Sequence, residues 1–391
     1  MIRASHWETV GALWMGVAVV LLSCGGMEGA SLHVPGDYAT IQAAIDESSD
    51  GDRVVVAEGV YFENINFKGK NIIVMSSGPR DPRVVASTII DGRQLDSVVT
   101  FAGTENATCA LAGFTIRNGY ADLGIGEGGG GICGGSETNH THATIRYNII
   151  VYNHAWDAGG ISRCDGLIER NIVAGNTSRW YQGGGGLYEC NGVIRNNVIV
   201  GNQAGGCEGA GALSFCDAVI ENCTIAYNIA SLAFGPIDNC NGPIRNCIIW
   251  ANEPSWHLPA VFFTSIDVDP LFASPGYWET DAQGRPSSFV LGNYHLKSQG
   301  GRYDPVSGLW VQDYVTSPCI DAGDPRSAIM HEPFPNGGVV NMGAYGGTAE
   351  ASMSWFGGAV CERIVAGDIN GDCAVDLADL AILAVHWLSG I

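Results

Sequence analysis

Apolar and polar residues alternate over short runs through most of the chain. Gly, Asn or Asp interrupts the runs every four to eight residues, as around the stretch "VIENCTIAY". Alternation with a period of two is typical of β-strands, and these runs leave no room for helices. The pattern therefore predicts an all-β protein built from many short strands.

The pattern also repeats at a nearly fixed spacing. An aliphatic anchor recurs in steps of 26, 26 and 24 residues, with Cys three, Ile seven and Asn fifteen places after each anchor. The anchors are Ile161, Leu187, Leu213 and Ile237. Looser copies upstream raise the total to at least five units. Because one unit cannot bury its apolar side alone, this period predicts a solenoid of stacked units.

Three short strands per unit, each pairing with its counterpart in the next unit about 4.8 Å away, would give a parallel β-helix. Equal positions of successive coils then lie above one another. The Asn column predicts corners, because Asn tolerates left-handed backbone angles and its amide can bond to the coils above and below. A further column alternates in charge, as stacking on an exposed face requires. Its members are Glu169, Arg195, Glu221 and Arg245.

The two ends of the chain depart from the repeat. "YATIQAAIDES" has helical spacing and predicts a helix that caps the first coil and covers its open edge. An apolar run from Val10 to Leu22, after Arg3 and before small residues, predicts a signal peptide and therefore export. "LLSC" also resembles a lipobox, so lipid attachment at Cys24 is an alternative to ordinary cleavage.

These features predict five parts of the chain. They are a signal peptide (1–26), a parallel β-helix (31–275), its C-terminal coils and capping loops (276–350), a linker (351–367) and a calcium-loop and helix module (368–391). Twelve cysteines follow the leader. In an exported protein they form either disulfides between neighbouring coils or a stack of inward thiols.

Charge narrows the class of partner. Lys and Arg number 19 against 40 Asp and Glu, which gives a formal charge of −21. Such a chain repels phosphate backbones, so nucleic acid is not expected as a partner. The same charge favours neutral sugars over polyuronates.

"VPGDYATIQAAIDESSDGDRVVVAEGVYFENI" (Val34 to Ile65) resembles the start of bacterial proteins with right-handed parallel β-helix repeats, the pectin-lyase-like superfamily. The resemblance implies a right-handed coil and a role with extracellular polysaccharide. "GVYFE" is similar to a motif of pectin methylesterases, but their later catalytic segments are absent. The signatures of polygalacturonases are absent too, and no basic residue opposite calcium-binding carboxylates marks a pectate lyase. No active site of these enzymes transfers to this chain.

Two kinds of residue are candidates for a polysaccharide site. Asp165 and Asp217 would lie two coils apart, about 9 to 10 Å, near the spacing of an inverting glycosidase, although their column also suits turns. Aromatic side chains at loops or outward positions would suit sugar rings, the alternative being packing of loops over the coils. These are Trp180, Tyr181, Tyr188, Phe215, Trp250 and Trp256.

The C-terminal stretch "DINGDCAVDLAD" (Asp368 to Asp379) has the ligand spacing of a calcium loop. The predicted Ca²⁺ ligands are Asp368, Asn370, Asp372, the Ala374 carbonyl, Asp376 and Asp379. With the leucine-rich helical pattern that follows, the stretch resembles half of a type I dockerin module. That resemblance implies a cohesin-like or cell-surface partner, although a complete module has two such units and Cys373 replaces the usual Gly.

The sequence thus predicts a secreted or surface-attached protein that binds or processes extracellular polysaccharide through the outer face of a parallel β-helix. A non-catalytic structural or adhesive solenoid is the alternative, and a polysaccharide lyase or glycoside hydrolase is a further one. Whether the chain is an enzyme stays open at this point.

Overall fold

A computed structural model describes residues 29–121, 128–179, 182–206, 208–230, 235–255, 258–357, 367, 369 and 374–389. The predicted signal peptide and Cys24 lie outside these residues. Within them, short β-strands account for nearly all regular structure, and three helices account for the rest.

Four stacks of parallel strands form the body of the molecule. The ten-stranded sheet comprises Ser31–Val34, Arg53–Val56, Ile73–Ser76, Ala110–Ala112, Thr144–Arg146, Leu167–Glu169, Val193–Arg195, Val219–Glu221, Ile244–Arg245 and Val261–Phe262. The nine-stranded sheet comprises Gly59–Tyr61, Thr88–Asp91, Thr115–Arg117, Ile149–Val151, Ile172–Ala174, Val198–Val200, Thr224–Ala226, Ile248–Trp250 and Ser265–Ile266. The seven-stranded sheet comprises Ile65–Asn66, Val99–Thr100, Ile132–Cys133, Ile161–Ser162, Leu187–Tyr188, Leu213–Ser214 and Ile237–Asp238. The five-stranded sheet comprises Tyr120–Ala121, His154–Ala155, Thr177–Ser178, Gln203–Ala204 and Ile229–Ala230.

Successive coils lie in the register that the repeat predicts. The four anchors are consecutive partners in the seven-stranded sheet. In the ten-stranded sheet the alternating charge column is aligned, with Glu169 beside Arg195 and Glu221 beside Arg245. Side chains from these two sheets and from the nine-stranded sheet meet in one buried aliphatic core. The predicted stack of parallel coils is therefore confirmed.

Buried asparagines line two corners of the stack. The longer ladder contains Asn153, Asn176, Asn202, Asn228 and Asn252. Asn202 illustrates its bonding: the amide oxygen accepts from the backbone N and Nδ2 of Asn176 at 3.1 and 3.0 Å, while its own Nδ2 donates to the Val173 carbonyl at 2.9 Å. The amide bonding predicted for this column is therefore confirmed. The left-handed backbone predicted for it is wrong, because that conformation lies one residue earlier, for example at Gly201 and Tyr227.

Cysteines form a second kind of column. The nine cysteines of the described residues are free thiols, and eight of them are buried. The backbone N of Cys190 lies 3.4 Å from the Sγ of Cys216, and that of Cys216 lies 3.3 Å from the Sγ of Cys240. Burial raises the pKa of the Cys216 thiol well above its ordinary value, which keeps it neutral. The structure therefore has the inward thiol stack rather than disulfides at these positions.

Helix α1 (Ile41–Glu47) covers the first coil, as the sequence predicts. Thr40 caps it, because its hydroxyl accepts the Ala43 N–H at 3.1 Å, and Ile45 is fully buried in the core of the coils. Helix α2 (Pro82–Ser87) is a single short insertion between coils. Helix α3 (Leu377–Ser389) forms where the leucine-rich pattern predicts one.

Residues 270–357, here called the C-terminal segment, pack on the outer face of the nine-stranded sheet. The antiparallel pairs of the molecule are Gly135–Ser136 with Asn139–His140, Phe272–Ser274 with Asn293–Leu296, Tyr277–Thr280 with Pro286–Val290, and Arg302–Asp304 with Leu309–Val311. The last three lie in the C-terminal segment, where the sequence had predicted further coils. Gly201, with φ of 59°, lies so close to the Phe289 ring that any side chain there would overlap it.

Candidate functional site

The two candidate carboxylates belong to a turn ladder. Asp165 Oδ1 accepts the Asn191 N–H at 2.9 Å, Asn191 Oδ1 accepts that of Asp217 at 3.0 Å, and Asp217 Oδ1 accepts that of Asn241 at 2.9 Å. Asp165 also lies 3.2 Å from Nδ1 of His140. Each side chain thus satisfies the backbone of the next coil, which is the turn role that the sequence left as the alternative.

The candidate aromatic residues do not come together as one platform. Tyr188 is buried and meets Phe215 edge to face, with 5.9 Å between ring centroids. Trp250 packs against Tyr227 and Phe272 beneath the C-terminal segment. The remaining candidates, Trp180, Tyr181 and Trp256, lie outside the described residues. Of the six, the described members serve packing.

Half of the predicted calcium loop falls in the described part of the chain. Asp379 is buried, and its two carboxylate oxygens accept the N–H groups of Ile369 and Asp376 at 2.6 and 2.8 Å. Both carboxylate oxygens of Asp379 are thus engaged with the backbone of the loop. Asp368, Asn370 and Asp372 lie outside the described residues. Within those residues, no three His, Cys, Asp or Glu side chains are grouped to hold a metal.

A cleft of about 440 Å³ opens between the coils and the C-terminal segment. On the coil side it is lined by outward apolar side chains of the nine-stranded sheet, Ile149, Ile172 and Val198. On the opposite side the lining side chains include His295, Val306, Tyr345 and Glu350. A concave site with an apolar lining and a few polar groups is the usual form of a ligand site.

The corner between the ten-stranded and nine-stranded sheets supplies the polar groups of the coil side. Six successive coils of the described part place a non-glycine residue in the left-handed backbone region there, with φ between 44° and 57°. These corner residues are Tyr147, Arg170, Asn196, Asn222, Asn246 and Phe263. Left-handed backbone is unfavourable for most side chains and least so for Asn. Tyr147, Arg170 and Phe263 are the members of this column that are not Asn, and the first two lie at the cleft.

The three asparagine corners hold the C-terminal segment. Asn196 Nδ2 donates to the carbonyls of Ala344 and Gly346 at 2.9 and 2.8 Å. Asn222 Nδ2 donates to the Asn341 carbonyl at 3.0 Å. Asn246 Nδ2 donates to the Ser327 hydroxyl at 3.1 Å, and its Oδ1 accepts the Asp324 N–H at 2.7 Å. Tyr147 and Arg170 line the cleft, and Asn196 both bonds to the segment and reaches the cleft wall.

Two arginines flank the Tyr147 ring. The guanidinium carbon of Arg80 lies 5.5 Å from the ring centroid and that of Arg170 lies 5.7 Å from it, within cation–π distance. Arg80 precedes helix α2, and its neighbour Pro79 packs so closely on Gly113 that a side chain at 113 would overlap it. Gly113 is the corner of the preceding coil, with φ of 82°. The absence of a side chain at Gly113 leaves room for the turn that carries Arg80.

A histidine and a glutamate face the cleft from the C-terminal segment. His295 is buried, stacks on Tyr345 at 3.6 Å between ring centroids, and places Nδ1 2.8 Å from Asn293 Oδ1. Its Nε2 lies 3.3 Å from Oε2 of Glu350, whose side chain is 45% exposed. Burial lowers the pKa of His295, and Glu350 opposes that shift. The imidazole is therefore a neutral hydrogen-bonding group near pH 7.

Sequence reasoning did not find this cleft, although one signal for it was present. The corner position stands nine places after each anchor, and it is Asn in three coils. Arg170 occupies the same place in the first aligned unit, and Tyr147 corresponds to it one coil earlier. An interruption of an otherwise structural Asn column therefore marked the site. The side chains from the C-terminal segment had no such signal, because that segment does not repeat.

Comparison with family models, with curated proteins and with solved structures finds no match for this chain. Within the described residues, the helices are too short or too polar to span a membrane.

Proposed function

We propose that this chain is an exported or surface-attached protein that binds extracellular polysaccharide, and that the cleft is its binding site. The observation that carries the proposal is the pair of corner residues, Tyr147 and Arg170, which line the cleft at a position where the next three coils have an asparagine bonded to the C-terminal segment.

The chemistry of the lining supports a sugar ligand. The apolar side chains of Ile149 and Ile172 suit the C–H faces of sugar rings, and Tyr147 adds an aromatic surface. The carboxylate of Glu350 can accept hydrogen bonds from hydroxyl groups. We also propose that the coils wind with a right hand, as in the pectin-lyase-like superfamily, since crossovers between parallel strands are nearly always right-handed.

Binding is favoured over cleavage as the activity of the chain. Asp165 and Asp217, the carboxylates proposed for a glycosidase, are engaged with backbone N–H groups of neighbouring coils. A purely structural solenoid, the other alternative, gives no reason for a cleft of about 440 Å³ lined by Tyr147 and Arg170. A lyase would release an ultraviolet-absorbing product and a hydrolase would release reducing ends, so both assays on bound glycans separate binding from processing.

The test of the proposal is a glycan array followed by titration calorimetry with the best ligand. Tyr147→Asn places at this corner the residue that later coils use, so it preserves the fold while removing the ring. We expect it to weaken binding at least about tenfold, as for other central aromatic contacts. Tyr314→Ala is the matched control, because Tyr314 is 99% exposed and lies outside the cleft. Equal affinity of the two variants would reject the cleft as the site.

We propose that the tail binds Ca²⁺ and attaches the protein to a cohesin-like or cell-surface partner. The apolar side chains of helix α3 are solvent-exposed along one stripe, which suits a docking helix. They are Leu377, Leu380, Leu383 and Trp387. Calorimetric titration of the full chain with Ca²⁺ tests this, with Asp368→Ala as the variant that should lose the binding heat. Identical heats from the two proteins would reject the loop.

A further inference from the structure

The arginines of the cleft differ from most others in the molecule. The described part of this strongly acidic chain contains eight arginines paired with carboxylates, namely Arg83, Arg117, Arg163, Arg195, Arg245, Arg285, Arg302 and Arg326. Arg80 and Arg170 have no carboxylate within 4.0 Å in that part, and their guanidinium groups form no hydrogen bond there. Both flank one tyrosine in one cleft.

The contrast is sharpest between neighbours in sequence. Glu169 forms an ion pair with Arg195 of the next coil, with 2.9 Å between Nη2 and Oε2. The carboxylate nearest to Arg170 in sequence is therefore already paired with another arginine. Arg170 is half-buried at the cleft, where a charge without a partner is unfavourable unless a ligand supplies one.

We infer that Arg80, Arg170 and Tyr147 bind an acidic substituent of the glycan, a carboxylate or a sulfate ester. The inference rests on the proposed function and adds the class of ligand to it. A guanidinium offers a planar pair of N–H donors that matches these oxyanions, and the Tyr147 ring holds the two guanidinium groups beside the sugar. The expectation of neutral sugars was based on the net charge of the whole chain. The net charge does not reflect the local excess of positive charge at the cleft.

The test compares each acidic glycan with its neutral counterpart. Polygalacturonate is titrated beside its carboxyl-reduced form, and a sulfated galactan beside its desulfated form, with the full chain in low salt. We expect the preferred acidic form to bind at least about tenfold more tightly than its neutral counterpart, and less tightly as salt increases. The first pair reports on carboxylate recognition and the second on sulfate recognition.

Three variants assign the preference to the site. Arg80→Ala and Arg170→Asn should each weaken binding of the acidic glycan about fivefold to tenfold and weaken binding of the neutral form by a clearly smaller factor. Arg170→Asn keeps the corner backbone, because three later coils have Asn there. Arg53→Ala is the control, since Arg53 is exposed, has no ion pair in the described part and lies outside the cleft.

The outcomes distinguish this inference from the proposed function. Loss of the acidic preference in the two cleft variants, with Arg53→Ala unchanged, supports it. Equal binding of the acidic and neutral forms, with no change in the Arg80→Ala and Arg170→Asn variants, overturns the inference and leaves polysaccharide binding intact. No binding of any glycan overturns both.

Discussion

Earlier and later coils use one corner of the stack for different purposes. In the later coils Asn196, Asn222 and Asn246 adopt left-handed backbone and fix the C-terminal segment through their amides. In the earlier coils Tyr147 and Arg170 adopt the same backbone and line a cleft. The repeat thus dictates the backbone at each corner, while the side chain decides whether the corner bonds to the C-terminal segment or only lines the proposed binding cleft. A departure from the residue type of a column is where function should be sought.

The largest expected effect concerns the support of the later coils and depends on pH. Asn222 bonds to the Asn341 carbonyl, while Glu332 Oε1 accepts the N–H groups of Asn341 and Gly347 at 2.8 and 2.7 Å. Burial raises the pKa of Glu332 to about 7 from an ordinary 4.5. The folded state thus binds this proton more tightly, so its stability is fully present below pH 4.5 and lost as pH rises through 7.

We expect the free energy of unfolding to fall by roughly 3 kcal/mol between pH 4.5 and 8, at about 1.4 kcal/mol per unit of pKa. Urea unfolding at both values measures it. Glu332→Gln keeps an oxygen acceptor without the charge, so its unfolding curve should lose most of this dependence. The same slope in both proteins would place the titration elsewhere.

The second largest effect on stability is expected from the loss of one asparagine that holds the C-terminal segment. Asn196→Ala removes two hydrogen bonds to the C-terminal segment and places Ala in left-handed backbone, so we expect about 2 kcal/mol of destabilisation. Asn196→Asp separates the two causes, because Asp tolerates the backbone but has no amide donor. Urea unfolding gives the stability, and limited proteolysis reports release of the segment. Unchanged protection of the segment in both variants would contradict the supporting role.

Placing Asn at a cleft corner should change the stability less than removing Asn from a supporting corner, and in the opposite direction. Arg170→Asn relieves the backbone of an unfavourable residue and removes no ion pair in the described part, so we expect a gain of up to about 1 kcal/mol. Thermal unfolding at neutral pH measures it. A clear loss of stability would mean that Arg170 supports the fold, and the comparison of the two kinds of corner would fail.

The smallest effect is expected in the charge column one residue before the corner. Glu221→Lys would place a third positive charge in line between Arg195 and Arg245. These side chains are partly exposed, so we expect a loss of only about 0.5 to 1 kcal/mol, reduced by salt. Glu221→Gln is the control that removes the ion pair without adding repulsion. If Lys and Gln behaved alike at low salt, vertical repulsion would be excluded.

Much of the fold could be predicted because stacking converts sequence period into contacts. The anchor Ile161 and its counterparts, the buried Asn202 and the alternating Glu169 and Arg195 all follow from one register. Helix α1 follows from its own spacing. These features are local or periodic, so a single sequence contains the information for them.

The candidate site could not be predicted in this way, because it is neither local nor periodic in the sequence. Its cleft joins Arg80, the corner residues and His295, which are far apart in sequence and come from parts with different regularity. The C-terminal segment has no period, so its antiparallel pairs and its position on the nine-stranded sheet could not be read from spacing. Aromatic residues were candidates for sugar binding in the sequence, but Trp250 packs against Phe272 of that segment. The calcium loop, the signal peptide and the tail partner stay predictions.

The spacing of the corner residues also determines how many sugar units the proposed binding cleft could contact. Each coil contributes one corner, and neighbouring coils are about 4.8 Å apart, close to the rise of one sugar residue along an extended chain. The next corner, Asn196, already reaches the wall of the cleft while its amide holds the C-terminal segment, so lengthening the groove by one step would also remove one support of that segment. Under the proposed function, each added sugar unit would therefore be gained at the expense of one such support.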